Sequence, residues 1–165
     1  MQYISHYASP LGDILLAADQ EGLTGLWFEG QKYYASRLEK DHEEGESPAI
    51  GAAKRWLDSY FSGEKPTVSV ALHLTGTDFQ KEVWEILLRL PYGQVTTYGE
   101  IARQLAAKRG IDHMSAQAVG SAVGHNPISI LVPCHRVVGA KGSLTGYAGG
   151  IDKKRALLKA EGAVW

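Results

Sequence analysis

Val132-Pro133-Cys134-His135-Arg136-Val137-Val138 holds the only cysteine of the 165-residue chain, with a histidine after it and a proline before it. A thiol reacts as its thiolate, so a nucleophilic cysteine needs a neighbour that takes its proton or stabilises the anion. His135 supplies such a group if the backbone turns so that the two side chains converge. Pro133 fixes its own φ and pushes Val132 toward extended geometry, which suits a strand entering a tight turn. A lone cysteine is more often a small buried hydrophobe than a catalyst, so the residues around this one must decide.

Upstream, Ile128 to Val132 runs apolar into the turn, preceded by His125-Asn126-Pro127. Before that, two helices are predicted. Thr97-Tyr98-Gly99-Glu100 is a capping-box pattern opening the first, through Ile101, Ala102 and Leu105. A connection containing Gly110 leads to the second, roughly Ser115 to Val123 and ending at Gly124. Helix, short connection, helix is the outline of a helix-turn-helix. The second helix carries Gln117, Ala118, Gly120 and Ser121, no lysine or arginine, and almost nothing large. A helix so trimmed can lie close against another helix, or enter a minor groove only ~6 Å wide. An earlier helix is expected from the capping box Thr77–Gln80 through Phe79, Val83, Ile86, Leu87 and Leu90. Downstream, glycines at 139, 142, 146, 149 and 150 surround Leu144 and Tyr147. A last helix follows, with Asp152 as its cap and Leu157, Leu158 and Glu161 along it. Its lysines and arginine at 153, 154, 155 and 159 read as a solvated basic face.

The N-terminal third reads as a small antiparallel meander, with strands at Tyr3–Ser9, Ile14–Ala18 and Leu23–Phe28. The acidic run Asp41–Ser47 reads as a solvated loop. Ser47-Pro48 starts a helix whose apolar side is Ile50, Ala53, Leu57, Tyr60 and Phe61, with Gly63 as its stop. Alternation from Val68 to Leu74 suggests an extended connector or edge strand, and the domain boundary falls near residues 73–77. The expected domains are residues 1–74 and 77–165.

Composition is that of an ordinary globular protein, 44% apolar and 21% charged, with a net charge of −1. That total hides an asymmetry. Residues 1–76 hold 6 basic against 11 acidic side chains (−5), and residues 77–165 hold 11 against 7 (+4), so a polyanion would meet the second half. One cysteine allows no internal disulfide and no Cys-rich zinc site, and His6, His42 and His73 lack ligand spacing, so no metal and no cofactor is expected. With no basic-then-apolar start and no span-length apolar run, the chain is expected to be cytoplasmic and to have no dealings with a membrane.

Taken together, Val132–Val138, Asn126-Pro127, Val95-Thr96-Thr97-Tyr98 and Gly146-Tyr147-Ala148-Gly149-Gly150 resemble the O6-alkylguanine-DNA alkyltransferases, also called methylated-DNA–protein-cysteine methyltransferases. The resemblance covers the whole chain and is strongest from Thr77 to Gly162. It implies an N-terminal ribonuclease-H-like α/β domain and a C-terminal helical domain bearing the helix-turn-helix. It also implies a monomer whose partner is double-stranded DNA containing O6-alkylguanine, and single-turnover transfer of the alkyl group to Cys134. On the same ground His135 is the residue that relays the thiol proton through a water, Glu161 the carboxylate orienting it, and Asn126 the brace of the active-site turn. Tyr98 helps turn out the nucleotide, backbone near Val137 and Ala148 reads the guanine edge, and the second helix with Gln117, Ala118, Gly120 and Ser121 enters the minor groove. One departure stands out: the position where the family usually carries an intercalating arginine is Gln117. The segment Lys108–Met114 also looks longer than in relatives. Two other readings remain open on the residues: an alkylguanine-binding module without transfer, against which Cys134 argues, and a Cys-His enzyme or thiol sensor acting on small molecules.

Overall fold

The computed structural model describes Met1–Trp165 and divides the chain into two compact units. The first is Met1–Thr75 with Pro127–Leu131; the second is Gly76–Asn126 with Val132–Trp165. Relative to the expected domains the difference is residues 127–131, which run with the first unit although they lie deep in the second half of the chain.

In the first unit β1 (Gln2–Ser9), β2 (Gly12–Ala18) and β3 (Leu23–Phe28) form the antiparallel meander. β4 (His42–Glu44) adds to the free edge of β1 in parallel, giving the order β3-β2-β1-β4. The acidic run is thus partly strand and not a loop: a backbone ladder needs no particular side chain, and all three β4 side chains stay exposed. From Ile14 to Ala18 both faces of β2 are buried. Strand side chains alternate between faces, so Leu15 and Ala17 share one, where they pack with Trp27, Ile4, Ala35 and Leu38. Gly25 is required there, because a Cβ on it would sit 2.0 Å from the Trp27 ring.

The outer edge of β3 is covered by two short segments. Leu23 donates its N–H to Ala71 O (2.8 Å) and accepts from His73 N (2.8 Å), while Leu26 donates to Pro127 O (2.9 Å) and accepts from Ser129 N (3.1 Å). These pairings block an edge that would otherwise invite another strand. The alternating stretch Val68–Leu74 accordingly contributes one bridge at Leu72 and no strand. Just beyond, Leu131 N–H reaches Ser129 O at 2.8 Å around Ile130, which is buried with φ +68. This is a γ-turn of the rarer hand on a β-branched residue, a strain of roughly 1–3 kcal/mol. α1 (Pro48–Phe61) starts at Ser47, whose side chain accepts from Ile50 N, and buries Ile50, Ala53, Trp56, Leu57 and Tyr60. Trp56 takes the place expected for Phe61, which is half-buried.

In the second unit α2 (Asp78–Leu88) opens with the reciprocal Thr77–Gln80 box, and buries Val83, Trp84, Ile86 and Leu87. β5 (Thr96–Thr97) leads into α3 (Tyr98–Arg109), which Thr97 caps by accepting from Glu100 N. The other half of the expected box is absent, since the Glu100 carboxylate goes to Arg103. Gly110, with φ +67, closes α3 in the left-handed conformation. α4 (Ala116–Gly124) follows, capped by Ser115, and buries Val119, Ala122 and Val123. Trp84 Nε1 donates to Ala122 O at 2.9 Å and ties α2 to α4. The small side chains therefore do serve helix packing, but only on one face: Gln117, Ala118 and Ser121 are exposed and Gly120 is half-buried. A 3₁₀ turn (Cys134–Arg136) runs into β6 (Val137–Val138), paired in parallel with β5. α5 (Ile151–Ala160) begins after Gly150 without a side-chain cap. Asp152 is not the cap; it sits in the first turn, fully exposed, 3.6 Å from Arg155.

Candidate active site

The segment before the cysteine is not a strand. Pro133, at φ −81 and ψ 64, centres an inverse γ-turn in which Cys134 N–H donates to Val132 O at 2.8 Å. The same carbonyl accepts from Asn126 Nδ2, also at 2.8 Å. Asn126 is buried and its side chain also bonds Cys134, so one amide holds both the turn and its cysteine. The 3₁₀ turn then places Cys134, His135 and Arg136 in the interior, exposed 5%, 0% and 7% respectively.

His135 Nε2 lies 2.6 Å from Glu161 Oε2. A carboxylate only accepts, so Nε2 carries the proton and Nδ1 presents its lone pair. Nδ1 is buried and bonds no protein atom. Glu161, just past the end of α5, also receives Arg136 Nε on Oε1 at 2.7 Å and Gly93 N–H at 3.3 Å. Burial works against the Glu161 charge, but the bonds and charges of His135 and Arg136 hold its carboxyl well below the usual range. Burial pushes the His135 imidazole down, opposed by Glu161. Burial likewise pushes the Cys134 thiol up, opposed by the Asn126 bond, the Lys154 cation and backbone N–H groups. The site thus works against its own desolvation, and each opposing group bears on what the thiol can do.

Lys154, expected on a solvated basic face, is fully buried. Its ammonium donates to Thr145 O (3.0 Å) and Gly146 O (3.4 Å), and burial brings its pKa down to about 8, with the Cys134 charge opposing. Tyr98 OH donates to the same two carbonyls, at 3.1 and 3.4 Å. The Tyr98 phenol is pushed up by burial and by the Cys134 charge, with the Thr145 bond opposing. Its ring also runs beside Gly120 of α4, where a Cβ would lie 3.7 Å from it. Cys134, His135, Glu161, Asn126 and Tyr98 are therefore neighbours, and Lys154 and Arg136 complete the cluster. Of the other residues singled out, Val137 is buried in β6 and Ala148 is half-buried in the loop before α5. Gln117, Ala118 and Ser121 form an exposed strip on α4 without a bond to the cysteine turn. The signal for Lys154 was present: with Ile151, Leu157 and Leu158 it falls at the i, i+3, i+6, i+7 positions of one helical face.

The three histidines of the first unit are engaged without metal geometry. His6 Nδ1 is 2.6 Å from Asp13 and His42 Nδ1 is 2.6 Å from Glu39 O. His73 lies between Asp19 (2.6 Å) and Glu21 (2.8 Å). No helix is long and apolar enough to cross a membrane.

Two family models match the chain: the 6-O-methylguanine DNA methyltransferase ribonuclease-like domain over residues 2–74, and the DNA binding domain of the same methyltransferase over residues 78–163. A methylated-DNA–protein-cysteine methyltransferase of Mycobacterium tuberculosis is 49% identical over 153 residues, 93% of this chain and 88% of that protein. One of the same description from Methanosarcina acetivorans is 45% identical over 163 residues, 98% and 99% of the two chains. Among solved structures, that of Mycobacterium tuberculosis OGT in complex with DNA superposes with a TM-score of 0.84 at 44% identity, covering 97% of this chain and 92% of that one.

Proposed function

The chain belongs to the 6-O-methylguanine DNA methyltransferase family, and on that premise we propose that it repairs DNA by moving the alkyl group of O6-alkylguanine onto its own Cys134. The observation that carries the residue assignment is the buried His135–Glu161 pair beside Cys134 in the chain, with the His135 proton fixed on Nε2 and the Nδ1 lone pair left over. That is the nucleophile, base and orienter of a hydrolase triad put to a different use. His135 Nδ1 draws the thiol proton off through a water, Glu161 holds the imidazole in the productive tautomer, and Lys154 stabilises the thiolate. Sγ then attacks the alkyl carbon: the S–C bond forms, the C–O6 bond breaks, and guanine leaves with the electron pair and takes up a proton. Tyr98, whose hydroxyl rests on the Thr145 and Gly146 carbonyls, is placed to deliver a proton to the departing base. Backbone near Val137 and Ala148 reads the guanine edge.

O6 lies inside the stacked duplex, so the nucleotide must be turned out before sulfur can reach it. The exposed strip of Gln117, Ala118 and Ser121, with Gly120 against Tyr98, is the surface that enters the minor groove, and Gln117 fills the gap left by the base. The thioether formed resists hydrolysis, so each molecule acts once, without metal or cofactor. Intact-mass spectrometry after incubation with a duplex carrying one O6-methylguanine tests this. One methyl mass on Cys134 and no more is expected, with none in Cys134→Ala. Product in excess of protein would overturn it.

A further inference from the structure

Arg136 follows the nucleophile–histidine pair, yet its side chain turns into the unit interior and makes three contacts. Nε donates to Glu161 Oε1 at 2.7 Å, Nη1 donates to Leu90 O at 2.9 Å, and the guanidinium lies over the Tyr92 ring at 5.8 Å. Gly93 N–H, three residues on from that carbonyl, reaches the same Oε1 at 3.3 Å. Oε1 is therefore engaged by a cation and a backbone donor, both anchored on the segment between α2 and β5. Oε2 faces His135 Nε2 at 2.6 Å. A carboxylate held this way can neither rotate nor readily take a proton.

We propose that Arg136 is a positioning residue of the transfer reaction: it locks the Glu161 carboxylate so that one oxygen faces His135, and it holds that carboxylate ionised while His135 acts as base. This rests on the reading of Cys134 as alkyl acceptor and His135 as its proton relay. A carboxylate with no other cation would draw the imidazole toward its charged form, in which Nδ1 has no lone pair to offer. The guanidinium spends part of that attraction. The charged and titratable groups facing His135 are Glu161 and Lys154 from the α5 segment and Cys134 and Arg136 from its own turn, with Tyr92 beside the Glu161–Arg136 pair. Of these, the Arg136 and Lys154 cations oppose protonation of the ring and Glu161 favours it.

The test is the pH profile of single-turnover transfer from a free O6-alkylguanine base, which keeps duplex binding out of the measurement, for the wild type, Arg136→Gln and Arg136→Lys. In Arg136→Gln the acid limb moves to higher pH, so the loss of rate is greater near about pH 6 than near about pH 9, because more of the histidine is protonated at the lower pH. Arg136→Lys keeps a cation but loses the fork that spans Glu161 and the Leu90 carbonyl. Its limb stays in place while its rate falls at every pH. An Arg136→Gln protein with a lower melting temperature but an unmoved limb would make the residue merely structural and overturn the proposal. If that variant does not fold, wild-type rates throughout in Arg136→Lys would do the same. A wild-type protein that gains no alkyl mass from the base or from duplex would instead refute the underlying reading.

Discussion

At the residue scale, the chemistry turns on how the site offsets the burial of its own ionisable groups. Glu161→Gln keeps the shape but replaces the carboxylate that orients His135, and transfer should slow by roughly 10²–10⁴-fold, the usual worth of general acid–base catalysis. Single-turnover rates on the methylated duplex check this, and an unchanged rate would remove Glu161 from the mechanism. The same carboxyl links to stability. Its folded pKa lies below the unfolded value of about 4.3, so its contribution is present above that pH and fades as pH falls below it. Glu161→Gln should therefore melt at a temperature less sensitive to acid than the wild type does. Lys154 acts on the thiol, because its cation opposes the effect of burial on Cys134. Lys154→Met should move the midpoint of Cys134 alkylation by iodoacetamide to higher pH. A midpoint that stays put or falls would show that Lys154 serves only the Thr145–Gly146 loop.

At the element scale, α4 packs one face and leaves the other exposed, and the exposed face, with Gln117, is the one proposed to meet DNA. A glutamine that fills the gap of a turned-out base does so by packing and neutral hydrogen bonds, whereas arginine could stack and add a cation near the phosphates. Gln117→Arg should tighten duplex binding and speed repair of duplex. Gln117→Ala should slow it, since opening the stack costs a few kcal/mol and the plug is gone. Reaction with the free base should change little in either. Equal duplex rates for all three proteins would move the plug to Tyr98 or to the segment Lys108–Met114. In the sheet, Gly25→Ala forces a methyl into the Trp27 ring. It should cost about 1–3 kcal/mol in denaturant unfolding, the range of other overpacked cores. These elements show what the sequence discloses and what it hides. Caps and apolar periodicity, as at Thr77–Gln80 and Ser47-Pro48, act within a few residues and can be read directly. What is not legible depends on distant partners. β4 needs the open edge of β1, Val68–Leu74 is limited by what β3 has left to pair, and Lys154 is inside because the Thr145 and Gly146 carbonyls wait for it. The γ-turn at Ile130 has no signature in the sequence, whereas the one at Pro133 is favoured by the φ that its proline ring fixes.

At the scale of the whole molecule, the charge asymmetry between halves suggests a basic surface for a polyanion, yet the structure spends much of that charge internally. Arg103 pairs with Glu100, Arg109 with Glu82 and Arg136 with Glu161, and Lys154 is buried. The helix proposed to enter the groove brings no cation of its own. Seven lysines and arginines of residues 77–165 remain, Arg155 among them 3.6 Å from Asp152. A duplex lying on one face meets only some of them, each contact contributing about 0.9 to the slope of log K against log salt on B-DNA. Binding to undamaged duplex should then be weak and only mildly salt-dependent, with a slope shallower than about −4. Affinity for the lesion must come largely from the docking of the turned-out base beside Cys134. Fluorescence anisotropy across a salt series, with Cys134→Ala to prevent reaction, measures both quantities. A slope of about −6 or steeper would mean about seven phosphate contacts, which takes every one of the seven basic residues left. The basic face of α5 (Lys153, Arg155, Lys159) would then belong to the DNA-binding surface, and its replacement by glutamines should flatten the slope.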